Sequence, residues 1–244
     1  MGKFFFKPSD INSHGTTISL TGNSAHHMIH VLRMHIGQEI TLCDGNGIDF
    51  HAKLESISIK PVAVTFTILS QAHSSTESST PIILFQGLPK GDKMDWIIEK
   101  AVEAGVNKII PVYTARTVIK EKDSTKKSER YARISESAAS QSMRGIIPEV
   151  TNPMRFSDAL LESAVSSLCL IAYEKEYSRT IKDIHCYTSP KPISLWIGPE
   201  GGFEDSEVGA LKDIGAIPIS LGPRVLRTET AGLIALAQIL FHWS

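Results

Sequence analysis

Cysteine is scarce in this chain: three residues in 244, Cys43, Cys169 and Cys186. They are odd in number and far apart, which excludes a disulfide framework and the paired spacing of zinc sites and redox motifs. They are expected to be reduced and buried, as in a cytoplasmic protein. Charge of one sign is also lacking, since 25 Lys+Arg face 26 Asp+Glu. No global basic excess announces a polyanion partner, so any nucleic-acid surface must be a local patch. Long hydrophobic runs are missing too. The most apolar stretch, Ala231 to Phe241, is interrupted by Gln238 and is shorter than the roughly 20 residues of a membrane span. The amino-terminal Met1 to Pro8 is too short in apolar residues for a signal peptide. Three nucleotide and nucleophile signatures are absent as well: G-x-G-x-x-G, G-x-x-x-x-G-K-[ST] and G-x-S-x-G. What remains, with 42% hydrophobic and 21% charged residues, is the composition of a folded globular protein.

The chain changes character once. Short β-rich runs, Glu39 to Cys43, Ile48 to Ile59 and Val62 to Leu69, surround the turn cluster Asp44-Gly45-Asn46-Gly47 and predict a small β-barrel. One helix is expected within it, Ser24 to Met34, capped by Asn23 or Ser24. The polar stretch Ser70 to Thr80 reads as a linker. Beyond it, apolar runs at Ile82–Leu88, Lys108–Tyr113, Leu168–Tyr173, Ile193–Gly198 and Ile217–Leu221 alternate with amphipathic segments, the pattern of an α/β domain with a mostly parallel sheet. The clearest helix starts near Asp92 and stops at Gly105, with Met94, Ile97, Ile98, Ala101 and Val102 on one stripe.

Two glycine-rich segments sit where chemistry belongs in such a sheet. Ile193 to Ile197 runs into Gly198-Pro199-Glu200-Gly201-Gly202-Phe203, with a helix expected from Glu204. Ile217 to Leu221 runs into Gly222-Pro223-Arg224-Val225-Leu226-Arg227-Thr228-Glu229-Thr230-Ala231. Glycine beyond a strand end lets a ligand approach the backbone, and open α/β sheets bind ligands at the carboxyl ends of their strands. If the strands are neighbours, the two loops share a pocket.

These two segments resemble the signature loops of the small-subunit ribosomal RNA uridine-N3 methyltransferases, members of the SPOUT superfamily. The similarity extends to His30-Val31-Leu32-Arg33, Cys43 to Gly47, Leu88-Pro89-Lys90-Gly91-Asp92-Lys93-Met94, Glu103 to Val106, Glu129-Arg130 and Gln141 to Arg144. The resemblance implies a PUA-like β-barrel that binds RNA at residues 1–72 and a trefoil-knotted SPOUT methyltransferase domain at 73–244. It also implies a cytoplasmic homodimer, S-adenosylmethionine as cofactor, and ribosomal RNA or the small ribosomal subunit as substrate, with no membrane contact and no metal. A tRNA methyltransferase of the same superfamily and a non-catalytic ribosome-assembly factor are the alternatives.

On that reading Gly198, Pro199, Glu200, Gly201, Gly202, Leu221, Gly222, Arg224, Val225, Leu226 and Thr230 hold the cofactor. Methylation at uridine N3 removes the imino proton, so a base and a group that stabilises the anion are required. Glu200 or Glu229 is the candidate proton acceptor and Arg227 the candidate partner of the uracil oxygens. Two structural alternatives stand beside these roles: Glu229 in a first helical turn is favourable without catalysis, and Arg227 can simply brace a loop. The basic run from Arg116 to Arg144, with Lys126, Lys127 and Arg130, is a candidate RNA surface. Lys3, Lys7, Arg33 and Lys90 are further phosphate candidates. His26 and His30 have helical spacing but no adjacent acidic ligand, so helix packing or RNA contact is expected of them.

Overall fold

The computed structural model describes residues 2–118, 125–184 and 192–243. The chain forms two compact units, residues 1–77 with 139–147 and residues 78–138 with 148–244.

The first unit is a five-stranded sheet. Its elements are β1 (Phe4–Phe5), β2 (Thr17–Thr21), α1 (Gly22–His26), β3 (Glu39–Cys43), β4 (Ile48–Ile59) and β5 (Val62–His73), in the strand order β1-β3-β4-β5-β2. Only β1 and β3 pair in parallel. Alternation in β4 sends Phe50, Ala52 and Leu54 inward and leaves His51, Lys53 and Glu55 exposed, as period two demands. Register shifts at His51/Ala52 and Leu54/Ser56 curl the long hairpin around a core that includes Phe66 and Met28.

Two expectations for this unit need correction. The polar residues 70–73, read as linker, are the end of β5, with Ser70 opposite His51 and His73 opposite Ile48. Their backbone is held by the partner strand, a long-range cause that composition does not carry. The helical segment starts earlier than expected, at Gly22 after the cap residue Thr21, and continues as a π-helical turn from His27 to Val31. It ends at Arg33, which takes φ 52°, while Met34 N–H reaches back to the Met28 carbonyl at 3.0 Å. That is a left-handed helix stop built without glycine.

The second unit contains β6 (Ile82–Gly87), α2 (Lys93–Ala104), β7 (Lys108–Tyr113), α3 (Thr125–Gln141, whose last turn belongs to the first unit), β8 (Glu149–Val150), β9 (Met154–Arg155), α4 (Phe156–Ser163), β10 (Leu168–Ala172), β11 (Ile193–Ile197), α5 (Asp205–Asp213), β12 (Ile217–Ile219) and α6 (Thr228–Trp243). Every described strand pair is parallel, in the order β12-β10-β11-β6-β7-β8 with β9 also on β7. All residues of β11 are buried, as expected of a strand covered on both faces. Its Trp196 stacks on Phe85 of β6 with ring centroids 4.6 Å apart. Gly105 stops α2 at φ 104°, a left-handed cap that suits glycine. Cys43 and Cys169 are buried; Cys186 lies outside the described residues.

One topological detail matters for the site. The strands that carry the two glycine loops, β11 and β12, are not neighbours: β10 lies between them. A third loop, the one leaving β10, is therefore interposed between the two expected ones.

Candidate active site

Parallel strands place their carboxyl ends along one edge of the sheet, and there the loops after β10, β11 and β12 enclose a cleft of about 470 Å³. Gly198, Pro199, Glu200, Gly201, Gly202, Leu221, Gly222, Arg224, Val225, Leu226 and Arg227 all line it. Thr230 does not. On α6 the lining residues are Thr228 and Ala231, three apart and so on one helix face. The loop after β10 adds Tyr173, Glu174, Glu176 and Tyr177, none of which the sequence had marked.

The loop after β11 keeps its shape because backbone packs on backbone. A Cβ on Gly87, at the end of β6, would stand 2.5 Å from Pro199 Cδ and 2.7 Å from Pro199 N. A Cβ on Gly198 would stand 3.0 Å from Gly202 Cα. Gly202 has φ +67°, and its Cβ would lie 2.8 Å from Glu174 Oε1. The Gly202 N–H closes the turn on the Pro199 carbonyl at 2.9 Å. Side chains fix the loop from two further sides. The Thr228 hydroxyl donates to the Gly198 carbonyl at 2.6 Å and accepts from the buried Gln86 amide at 2.9 Å. The Arg116 guanidinium donates to the Gly201 carbonyl at 2.6 Å. Glu207 closes the start of α5 and ties it to a neighbouring loop: it accepts from Glu204 N–H at 2.9 Å and from Ala115 N–H at 2.8 Å.

Charge is concentrated at one wall. Lys93, at the start of α2, donates to Glu200 Oε1 at 2.9 Å and stands 3.6 Å from Glu229 Oε2. Glu200 also accepts from the Lys90 N–H at 3.1 Å. Burial pushes the Glu200 carboxyl up, but the Lys93 ammonium and the backbone N–H donors outweigh it and hold it below the usual carboxylate range. Glu200 is therefore an ionised, hydrogen-bonded anchor. Glu229 is placed differently: it does not line the cleft, and its Oε2 is buried without a hydrogen-bond partner. Arg227 is exposed, lines the cleft, and makes no side-chain hydrogen bond or ion pair among the described residues. The brace role weighed for it is filled by Arg116 instead.

The basic residues proposed for RNA fall into distinct settings. Lys7, Arg33, Lys90 and Lys127 are exposed. Arg130 pairs with Asp95 and, at 3.7 Å, with Asp92. Lys3 is buried, with its ammonium 2.8 and 2.9 Å from the two Asp49 carboxylate oxygens and 3.1 Å from Ser74 Oγ. Arg144 is buried against the Glu77 carboxylate, which also accepts from Gly145 N–H at 2.8 Å. These last two cations hold the first unit together and present no charge to solvent. The Lys126 side chain, like Lys120 and Lys122, lies outside the described residues. The His26 and His30 rings meet at a tilt of 45° with centroids 4.4 Å apart.

Sequence reasoning quoted Lys93 and Gln86 only as parts of strand and motif, and passed over Gly87. The available signal was position: all three sit at or just beyond the carboxyl end of β6, the strand beside β11.

Comparison with known proteins agrees with this architecture. Residues 76–240 match the RNA methyltransferase domain family, and residues 20–67 match the RNA methyltransferase PUA domain family. Ribosomal RNA small subunit methyltransferase E of Bacillus subtilis is 37% identical over 235 residues, covering 93% of this chain and 90% of the relative. The Synechocystis protein of the same name is 33% identical, covering 91% and 72%. The crystal structure of ribosomal RNA small subunit methyltransferase E from Neisseria gonorrhoeae bound to S-adenosyl methionine superposes with a TM-score of 0.85 at 31% identity, over 100% of this chain and 98% of that one. The chain is thus a member of the ribosomal RNA small subunit methyltransferase E family, with an RNA methyltransferase domain that carries the cleft and a PUA domain before it.

Proposed function

We propose that this protein transfers a methyl group from S-adenosylmethionine to N3 of a uridine in small-subunit ribosomal RNA. The observation that carries the reading is the cleft itself: three loops from adjacent parallel strands, walled by close-packed backbone at Gly198 and Gly202 and lined by the unpaired Arg227. The residues fit the cofactor. Backbone of the two glycine loops lines the cleft at Gly198, Gly201 and Gly222, where a ligand can approach it closely, and the Glu174 and Glu200 carboxylates suit a cationic sulfonium. When bound, the cofactor supplies an electrophilic methyl group. The loops Gly198–Gly202 and Leu221–Leu226 would hold it.

The chain's own residues then have divided tasks. Arg227, exposed and uncommitted, stabilises the negative charge that grows on the uracil oxygens as the N3 proton leaves. Glu200, tied to Lys93 and Lys90, positions and is a poor proton acceptor. Glu229, with a buried oxygen free of hydrogen bonds beside Lys93, is the acceptor, reached through water. RNA is gathered by exposed cations such as Lys127 in the methyltransferase domain and Lys7 and Arg33 in the PUA domain. We further propose a cytoplasmic homodimer and, by family resemblance, a knotted chain in the methyltransferase domain. The dimer is supported by α6, apolar on most of its circumference, where Phe241 is 91% exposed.

Calorimetric titration and nucleoside mass spectrometry test the proposal together. The expected results are S-adenosylmethionine binding at micromolar concentration and loss of 3-methyluridine from small-subunit rRNA in a strain lacking the gene. No binding at millimolar cofactor would favour a non-catalytic assembly factor, and a lesion in tRNA would favour the tRNA enzyme.

A further inference from the structure

Two large apolar side chains at the cleft are left in solvent: Tyr177, 83% exposed in the loop after β10, and Val225, 85% exposed in the loop after β12. An isolated exposed apolar residue needs no explanation. Tyr177 differs because its backbone is fixed on both sides. Glu176 Oε1 accepts from Ser178 N–H at 2.8 Å, Ser178 Oγ at 2.7 Å and Arg179 N–H at 3.0 Å, and Glu176 N–H donates to the Tyr173 carbonyl at 3.0 Å. The Arg179 N–H bond and the two Ser178 donors hold the Glu176 carboxyl down to about 2, so this turn stays closed throughout the neutral range. The Arg179 carbonyl in turn accepts from Ser220 N–H at 2.7 Å, which ties the turn to the loop after β12. An aromatic ring is thus held out at the cleft on a rigid tip.

Charges of both signs surround it: Glu174, Glu176 and Glu200 line the same cleft, but Glu176 is spent on its own turn and Glu200 on Lys93, which leaves guanidiniums as the free cations. Arg179, Arg224 and Arg227 are exposed and make no side-chain hydrogen bond or ion pair among the described residues. A preorganised ring among uncommitted guanidiniums is the combination that binds single-stranded nucleic acid: bases stack on the ring while phosphates meet the cations. A protein partner would instead favour a wider apolar patch.

We propose that Tyr177 is the stacking platform for a base of the RNA strand that enters the cleft. The inference deepens the methyltransferase reading and rests on it. The test uses the full chain with rRNA from a strain lacking the gene, comparing wild type, Tyr177→Ala and Tyr177→Phe. Alanine should raise the RNA Kd and KM by tenfold or more, and phenylalanine should stay within twofold of wild type. Affinity for S-adenosylmethionine and sedimentation should be unchanged in both. The proposal is overturned if alanine leaves RNA binding intact, if phenylalanine is as impaired as alanine, or if cofactor affinity or oligomeric state changes instead. A wild type that binds RNA without methylating it would count against the methyltransferase reading, while the RNA Kd of the variants would still judge Tyr177.

Discussion

The Lys93 ammonium lies 2.9 Å from the Glu200 carboxylate across 107 residues of sequence, joining the start of α2 to the glycine loop after β11. The same ammonium stands 3.6 Å from Glu229, so one cation faces two carboxylates at the wall of the cleft. Its hydrogen bond to Glu200 raises the Lys93 pKa, which keeps it charged throughout the neutral range.

Replacing Lys93 should therefore act on the Glu200 carboxyl. In Lys93→Met, burial is no longer opposed by the ammonium, and the carboxyl titrates at higher pH than in wild type. Wild-type Glu200 stays ionised as pH falls through the usual carboxylate range; in the variant, protonation begins earlier. The acid limb of kcat/KM should move to higher pH, with a loss of about tenfold or more at neutral pH. An unmoved acid limb would separate Glu200 from activity.

Glycine positions should respond according to what a Cβ meets. Gly87→Ala drives a carbon to 2.5 Å from Pro199 Cδ and should cost about 1–3 kcal/mol, with cofactor affinity lost as the loop is displaced. Gly202→Ala adds a left-handed backbone to contact with Glu174, whose side chain can move, so its cost is chiefly the strain, about 1 kcal/mol. Gly209 lies inside α5 with nothing within 4 Å of its Cβ, and Gly209→Ala should stabilise by about 0.5–1 kcal/mol. Thermal melting with calorimetric titration separates the three outcomes.

Arg227→Ala should leave cofactor affinity and melting temperature nearly unchanged, because the side chain makes no hydrogen bond or ion pair among the described residues. Single-turnover methyl transfer should fall roughly a hundredfold, the size expected for a charge aimed at the transition state. Rates near wild type would remove it from catalysis.

In the first unit, burial pushes the Glu77 carboxyl up, but the Arg144 guanidinium and two backbone N–H groups outweigh it and hold it below its ordinary 4.5. A depressed carboxyl contributes stability that is complete above that value and is lost as pH falls through the lower folded one. Glu77→Gln should cost about 3 kcal/mol at neutral pH, since it uncouples a buried ion pair. The gap in melting temperature between wild type and variant should close as pH falls below the ordinary 4.5 and through the lower folded value. A gap independent of pH would assign the loss to packing.

Much of this arrangement was legible in the residues. β3, β4 and β7 run from Glu39, Ile48 and Lys108 to Cys43, Ile59 and Tyr113, where period and turn residues put them. Gly105 ended α2 for the stated reason, a left-handed cap. The polar end of β5 was misread because its only support is β4, and Thr21 was missed as the cap because Asn23 and Ser24 are stronger capping types. Strand order was invisible as well. Nothing local says that β10 lies between β11 and β12, and so the loop bearing Glu174 and Tyr177 went unnoticed. Lys3 and Arg144 looked like phosphate ligands because sequence shows a charge and conceals its partner, here Asp49 and Glu77.

Methyl transfer to uridine N3 can be read out by incubating the purified protein with S-adenosylmethionine and small ribosomal subunits from a strain lacking the gene, then digesting the rRNA for nucleoside mass spectrometry. The expected result is one new methyl group per subunit, recovered as 3-methyluridine and formed roughly a hundredfold more slowly when Arg227→Ala replaces wild type. A methyl group recovered on a ribose, on another base or in tRNA alone would contradict it.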